Sequence, residues 1–198
     1  MKNKIFILLD RSASMNSMWE EALSGINSYV KKIENAEVML ASFDTLGYDV
    51  IRNTTTSKWE NITTKEIEPR GGTPLLDAAG RIMWTMLDSK AKRAILVVVT
   101  DGEENSSSKF TSGDIKTLTK QLTEKCDYEI VFLGANFDKI DTVAKSNFGW
   151  RDNSRIVATS VRGFGTAMNA TVSGTQNYFT SGKTSSFYSE ELKSEAKK

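Results

Sequence analysis

Asp10, Ser12 and Ser14 alternate in the stretch DRSAS, directly after the apolar residues Phe6 to Leu9. A carboxylate and two hydroxyls at i, i+2 and i+4 on an irregular loop can aim at one centre. A second carboxylate, Asp101, follows another apolar run in Thr100-Asp101-Gly102. Between the two, the loop EPRGGTPLLDAAG (68–80) carries Thr73 behind Gly71 and Gly72, which permit close backbone approach. Hydroxyls, carboxylates and water in an octahedral shell suit Mg2+ or Mn2+, whereas Ca2+ usually takes more ligands and more carboxylate. If Ser12, Ser14 and Thr73 bind directly and one or both aspartates act through water, the ion keeps excess positive charge. One coordination position then stays open, and an Asp or Glu from another protein is its natural ligand.

Composition removes the competing chemistries. The 198 residues contain no histidine, which excludes Ser-His-Asp and Cys-His triads and His-ligated zinc. The single cysteine, Cys126, can form no internal disulfide and suits a reducing compartment. With 26 basic and 25 acidic residues, no global field recruits nucleic acid or an anionic membrane. The run Ile5 to Leu9 is shorter than the roughly 7 to 15 residues of a signal-peptide core, and no run approaches the ~20 residues of a membrane span. These features give the reading of a cytoplasmic protein.

The elements that must position the three pieces are legible as periodicity. Ile5–Leu9, Val38–Phe43, Ile95–Thr100 and Glu129–Leu133 are short continuous apolar runs, as in strands covered on both faces. Apolar residues at helical spacing mark 17–33 and 75–88, and a third helix starts near Ser112. Tyr48–Arg52 reads as an extra strand, antiparallel to Val38–Phe43 across a tight link. A weaker strand over Arg155–Thr159, a short helix over 138–146 and a C-terminal helix from Phe164 to Phe179 complete the pattern. Residues 1–180 read as one domain and 181–198 as a polar tail, with a short helix near Ser189–Ala196. Strand-helix alternation implies a doubly wound α/β domain with a mostly parallel sheet. Such folds bind ligands beyond the carboxyl ends of the strands, where strand order reverses. An order of 3-2-1-4-5-6 brings Asp10 and Asp101 into one crevice.

DRSAS at 10–14, Thr73 in GGTPLLDA and TDG at 100–102 resemble the metal-ion-dependent adhesion site of von Willebrand factor type A domains. The GGTPLLDA loop and FLGAN (132–136) look particularly like small stand-alone bacterial and phage members. The resemblance implies six strands with one antiparallel edge strand and helices on both faces. It also implies that Ser12, Ser14 and Thr73 contact Mg2+ (or Mn2+; Ca2+ fits less well), with Asp10 and Asp101 direct or water-mediated. The implied function is protein binding without catalysis, to a partner with an exposed acidic residue. The family shares no common substrate, so the likeness gives a mode of binding rather than an identity.

Around the cup, Arg11 and Arg70 are positioned to clamp a partner's carboxylate, while Glu103, Glu104 and Asn136 sit beside the crevice. These five are candidate partner-binding residues. Asp77, four residues beyond Thr73, reads as a loop support rather than a ligand. Pro74 suits the first helical position, with Thr73 as N-cap; the Thr73 hydroxyl then caps the helix or turns to the crevice. Ser14 or Asn16 could likewise cap the helix that follows DRSAS. Two rival functions remain: a Mg2+- or Mn2+-dependent hydrolase or phosphotransfer enzyme, against which no separate general base is visible, and nucleic-acid binding, for which no basic excess speaks.

Overall fold

The central strands are buried on both faces because successive side chains feed two different cores. Along β1 (Asn3–Asp10), Ile5, Ile7 and Leu9 enter one cluster, and Phe6 and Leu8 enter the other. This is the two-residue period of a strand with helices above and below it. The computed structural model describes residues 2–101, 103–125, 127–134, 137–149, 156–158 and 164–182, with the backbone alone for 137–140 and 156–158. Cys126, Asn136, Trp150 and the expected helix at 189–196 lie outside the described residues.

In chain order the remaining elements are α1 (Trp19–Lys32), β2 (Ala36–Asp44), β3 (Gly47–Thr55), α2 (Leu75–Asp88), β4 (Ala94–Val99), α3 (Ser112–Lys125), β5 (Tyr128–Gly134), α4 (Phe137–Phe148), β6 (Ile156–Ala158) and α5 (Phe164–Ser181). They form one six-stranded sheet of order β3-β2-β1-β4-β5-β6. The β2–β3 pair is antiparallel and the other pairs are parallel. The expected fold class is therefore observed, with its reversal of order between β1 and β4. Helices α1 and α5 supply the core on one face, through Trp19, Leu23, Ile26, Phe164 and Met168. The other face is covered by α2, α3 and α4, through Leu75, Ile82, Ile115, Leu122 and Phe148. No helix among the described residues is long and apolar enough to cross a membrane.

Two boundaries differ from the periodic reading. The helix expected from residue 17 is preceded by a 3-10 turn over Ala13–Met18, and regular α-helix begins at Trp19. The second helix begins at Leu75, so Pro74 occupies the capping position rather than the first helical one. In both places the departure lies in the loop that carries candidate ligands.

Gly80, on α2, is where the 101–111 segment presses on the helix. A side chain there would meet three atoms of the Phe110 ring at 2.5–2.6 Å, including the ring atom nearest the backbone. The ring cannot swing aside without moving its loop. We expect Gly80→Val to lower stability by about 1–3 kcal/mol through overpacking, read as a reduced urea midpoint with an unchanged slope; an unchanged midpoint would show that this loop is not tied to the helix.

Candidate metal centre

The site begins with the register of β1 and β4. Leu9 lies opposite Val99, so Asp10 emerges beside Thr100 at the carboxyl end of the sheet. The Asp10 side chain is buried, with 0% exposure. One carboxylate oxygen accepts the Ser12 N–H at 2.8 Å, and the other accepts the Thr100 hydroxyl at 2.8 Å. Burial pushes the Asp10 carboxyl up to about 6, and the negative charge of Asp101 adds to that effect. The bonds from Ser12 and Thr100 oppose it.

After Asp10 the chain turns at once into the 3-10 segment, which places the two serine hydroxyls 3.0 Å apart. Neither serine caps a helix: Ser12 at the start of the 3-10 turn and Met18 at the start of α1 make no side-chain capping bond. Asn16 bonds the Ala13 carbonyl instead. The two hydroxyls are thus left facing one another, Ser12 buried and Ser14 at the surface.

The loop that carries Thr73 is tied to the loop after Asp10 by two backbone bonds. Arg70 N–H donates to the Arg11 carbonyl at 2.7 Å, and Ala13 N–H donates to the Gly71 carbonyl at 3.1 Å. Gly71 adopts φ +68°, a left-handed conformation that favours glycine. From the other side, Asn105 grips the Thr73 backbone: its side-chain oxygen accepts the Thr73 N–H at 2.9 Å and its own N–H donates to the Thr73 carbonyl at 3.1 Å. The first turn of α2 is capped from the same loop. Glu104 accepts the Leu76 N–H at 2.8 Å, and the Ser107 hydroxyl accepts the Asp77 N–H at 3.1 Å. The Thr73 hydroxyl, expected as a possible cap, is relieved of that role. It is buried, with no hydrogen-bond partner among the described residues.

One oxygen of Asp101 is in the same condition, buried and partnerless. Leaving such an atom unpaired costs on the order of 1–3 kcal/mol. In type, these oxygens and the Asp10 carboxylate are donors that suit a hard divalent cation. Among the described residues no Lys or Arg pairs with Asp10 or Asp101. Nor do three His, Cys, Asp or Glu side chains gather as a cluster of metal ligands among them. The centre has two carboxylates, and its other candidate donors are hydroxyls.

The flanking residues are placed differently from the clamp expected of them. Arg11 is buried, with a 6% exposed side chain. It donates to Asp44 at 2.7 Å and to Asp49 at 2.6 Å. Arg70 reaches the same Asp44 oxygen at 2.7 Å. Burial alone would raise Asp44, but Arg70, the Leu46 N–H and Arg11 hold its carboxyl below the usual carboxylate range. The result is a knot joining the loops after β1, after β2 and before α2. Glu104 faces inward as the cap of α2, while Glu103 sits half-buried beside Asp101 in the chain. Asp77 supports the loop, as its spacing from Thr73 implied, by accepting the N–H groups of Ser108, Lys109 and Phe110. Thr100 lies in the TDG motif and Asn105 just beyond it, but their bonds to Asp10 and Thr73 are not readable from sequence; Asp44 and Ser107 carry no periodic or motif signal at all. Their roles exist only across loops distant in sequence.

The chain belongs to the von Willebrand factor type A domain family, whose model matches residues 5–104. Solved structures agree in fold. The vWF domain of the type V pili tip protein Mfa5 from Porphyromonas gingivalis superposes with a TM-score of 0.69 at 11% identity, over 93% of this chain and 98% of that one. The pilus adhesin SpaC from Lactobacillus rhamnosus GG gives 0.66 at 14% identity, over 90% of this chain but 30% of the adhesin. The PilB minor pilin from Streptococcus sanguinis gives 0.64 at 13%, over 92% of this chain and 64% of the pilin. At these identities the likeness concerns the fold. No curated protein matches the chain.

Because burial in the folded state raises the Asp10 carboxyl from its ordinary 3.8 to about 6, the protonated form is favoured by folding. The stability this group contributes is full below pH 4 and is lost as pH rises through 6. In metal-free protein, Asp10→Asn keeps an acceptor for Ser12 and places an amide near Thr100. We expect the variant to gain on the order of 2–3 kcal/mol over wild type at pH 7.5 and little at pH 4, measured by urea unfolding in EDTA. A constant difference across that range would show that Asp10 is not desolvated.

Proposed function

We propose that this chain is a non-enzymatic protein-binding module. Its centre at Asp10, Ser12, Ser14, Thr73 and Asp101 holds Mg2+ or Mn2+, and its partner contributes an Asp or Glu carboxylate. The observation that carries the reading is the pair of buried oxygens, on Thr73 and Asp101, that have no partner among the described residues, in loops adjoining an Asp10 with no counter-ion among those residues. Buried polar groups are mostly satisfied by protein, water or an ion, and on this reading a cation completes these two. The bound cation supplies positive charge and an open position for a carboxylate oxygen. Ser12, Ser14 and Thr73 offer neutral donors, so they do not cancel that charge. Thr100 and the Ser12 N–H fix the orientation of Asp10, and Asn105 fixes the position of Thr73. The pilus adhesin among the structures of like fold also favours binding over turnover.

Thr73→Val separates binding from folding. It deletes the orphan hydroxyl at nearly constant volume, so the metal-free protein should keep its stability within about 1 kcal/mol or gain slightly. Added Mg2+ or Mn2+ should raise the Tm of wild type, but not of Thr73→Val or Asp10→Ala. Capture of a partner from extract should require Mg2+, vanish in EDTA and vanish with Asp10→Ala. A chelator-insensitive interaction, or an unchanged Mg2+ response in Thr73→Val, would overturn the proposal.

A further inference from the structure

Beside the centre, a cavity of about 270 Å³ opens between the β2–β3 turn, the start of α2 and the 106–109 segment. Pro74 and Ser106 line it, and these follow Thr73 and Asn105 in the chain. Its most distinctive wall is Arg81, whose guanidinium carbon lies 4.2 Å over the centre of the Tyr48 ring. Stacking of this kind holds a guanidinium in one orientation and leaves its edge N–H groups free to donate. Every other arginine among the described residues is ion-paired: Arg11 and Arg70 with Asp44, Arg52 with Glu66, Arg93 with Asp127. No described carboxylate pairs with Arg81.

The two acids that line the cavity are already engaged. Asp77 accepts three backbone N–H groups, and Asp44 is held by two arginines. Lys109 brings a second positive charge to the same cavity. At its lip stands Leu46, with 74% of its surface exposed, an apolar contact for the methylenes of an entering side chain.

We propose that this cavity is a second carboxylate subsite, so that a partner segment presents two acidic side chains. One is directed to the metal centre, and the other, a Glu, forms a forked pair with Arg81. This rests on the metal-dependent reading above and names the partner's chemistry more closely. A partner with a single acid would use only half of the recognition surface, and the second pair sets orientation as well as affinity.

The test uses the whole chain and synthetic Gly-Ser peptides. One peptide carries a single Glu, and the others carry two Glu separated by one to six residues. Affinity is followed by NMR titration to millimolar peptide in Mg2+ or EDTA, with the Arg81 side-chain Nε–H as reporter. We expect the best two-Glu peptide to bind about tenfold tighter than the single-Glu peptide, ~1.4 kcal/mol, and to shift the Arg81 resonance. Arg81→Ala should abolish that advantage without changing single-Glu binding or the Mg2+-induced rise in Tm. Arg81→Lys, which lacks the fork, should restore only part of it. The subsite is overturned if no spacing exceeds the single-Glu peptide, if the advantage survives Arg81→Ala, or if no two-Glu peptide binds. Failure of the metal reading looks different: two-Glu binding then depends on Arg81 but is indifferent to EDTA and to Asp10→Ala.

Discussion

A carboxylate buried at the end of a central strand is held by hydrogen bonds and not by a counter-ion, and the functional geometry follows from that. Asp10 has no exposure and no cationic partner among the described residues. Strand geometry is the reason. Alternate side chains point to opposite faces, so Asp10 turns to Thr100 while the next residue, Arg11, turns away to Asp44 and Asp49. Had the arginine stood one position earlier or later, it could have filled the crevice with the protein's own positive charge. Instead Arg11 and Arg70 are both consumed by Asp44, and the crevice keeps two carboxylates without a cation of its own.

The same economy governs the loops. Four backbone N–H groups at the start of a helix need acceptors from somewhere, and a Thr before a Pro is an obvious local source. Here the acceptors come from the 104–107 segment, through Glu104 and Ser107. Asp77, in the first turn of α2, returns the favour by accepting three N–H groups from 108–110. Helix and loop therefore cap one another. Thr73 lies between them, fixed by Asn105 through its backbone and with its hydroxyl unused by the fold.

This division explains what was legible in the sequence. Continuous apolar runs and helical spacing are local signals, and they marked the strands and the antiparallel hairpin, while the strand order supposed from the doubly wound class is the one observed. The three pieces that carry the candidate ligands stand out too, because each is a short motif at the end of an element. Their surroundings do not. The Arg11–Asp44 bond joins residues 33 apart, and the Glu104–Leu76 bond joins residues 28 apart. A charged residue beside a crevice reads as a surface clamp until its partner is known. Arg11 and Glu104 face inward because the chain needs an ion-pair knot and a helix cap there. The helix boundary at Pro74 moved for a related reason, since capping from another loop removed the need for Thr73 to serve.

A metal site can be formed by its ion or offered to it. In small metallodomains the ligands lie on segments that do not hold together alone, and binding energy becomes folding energy. In this chain the loops bearing Asp10, Thr73 and Asp101 are tied by backbone bonds, by the Arg11–Asp44–Arg70 knot and by reciprocal capping, none of which involves the candidate ligand oxygens of Thr73 or Asp101. What a cation must overcome is the desolvated state of Asp10, which keeps its proton up to about pH 6. On the metal-binding proposal, neutral hydroxyl donors would leave most of the ion's charge uncancelled, and a partner's carboxylate would meet that charge directly. The bonds that tie these loops together thus fall elsewhere, and among the described residues the Thr73 hydroxyl and one Asp101 oxygen are left without a partner.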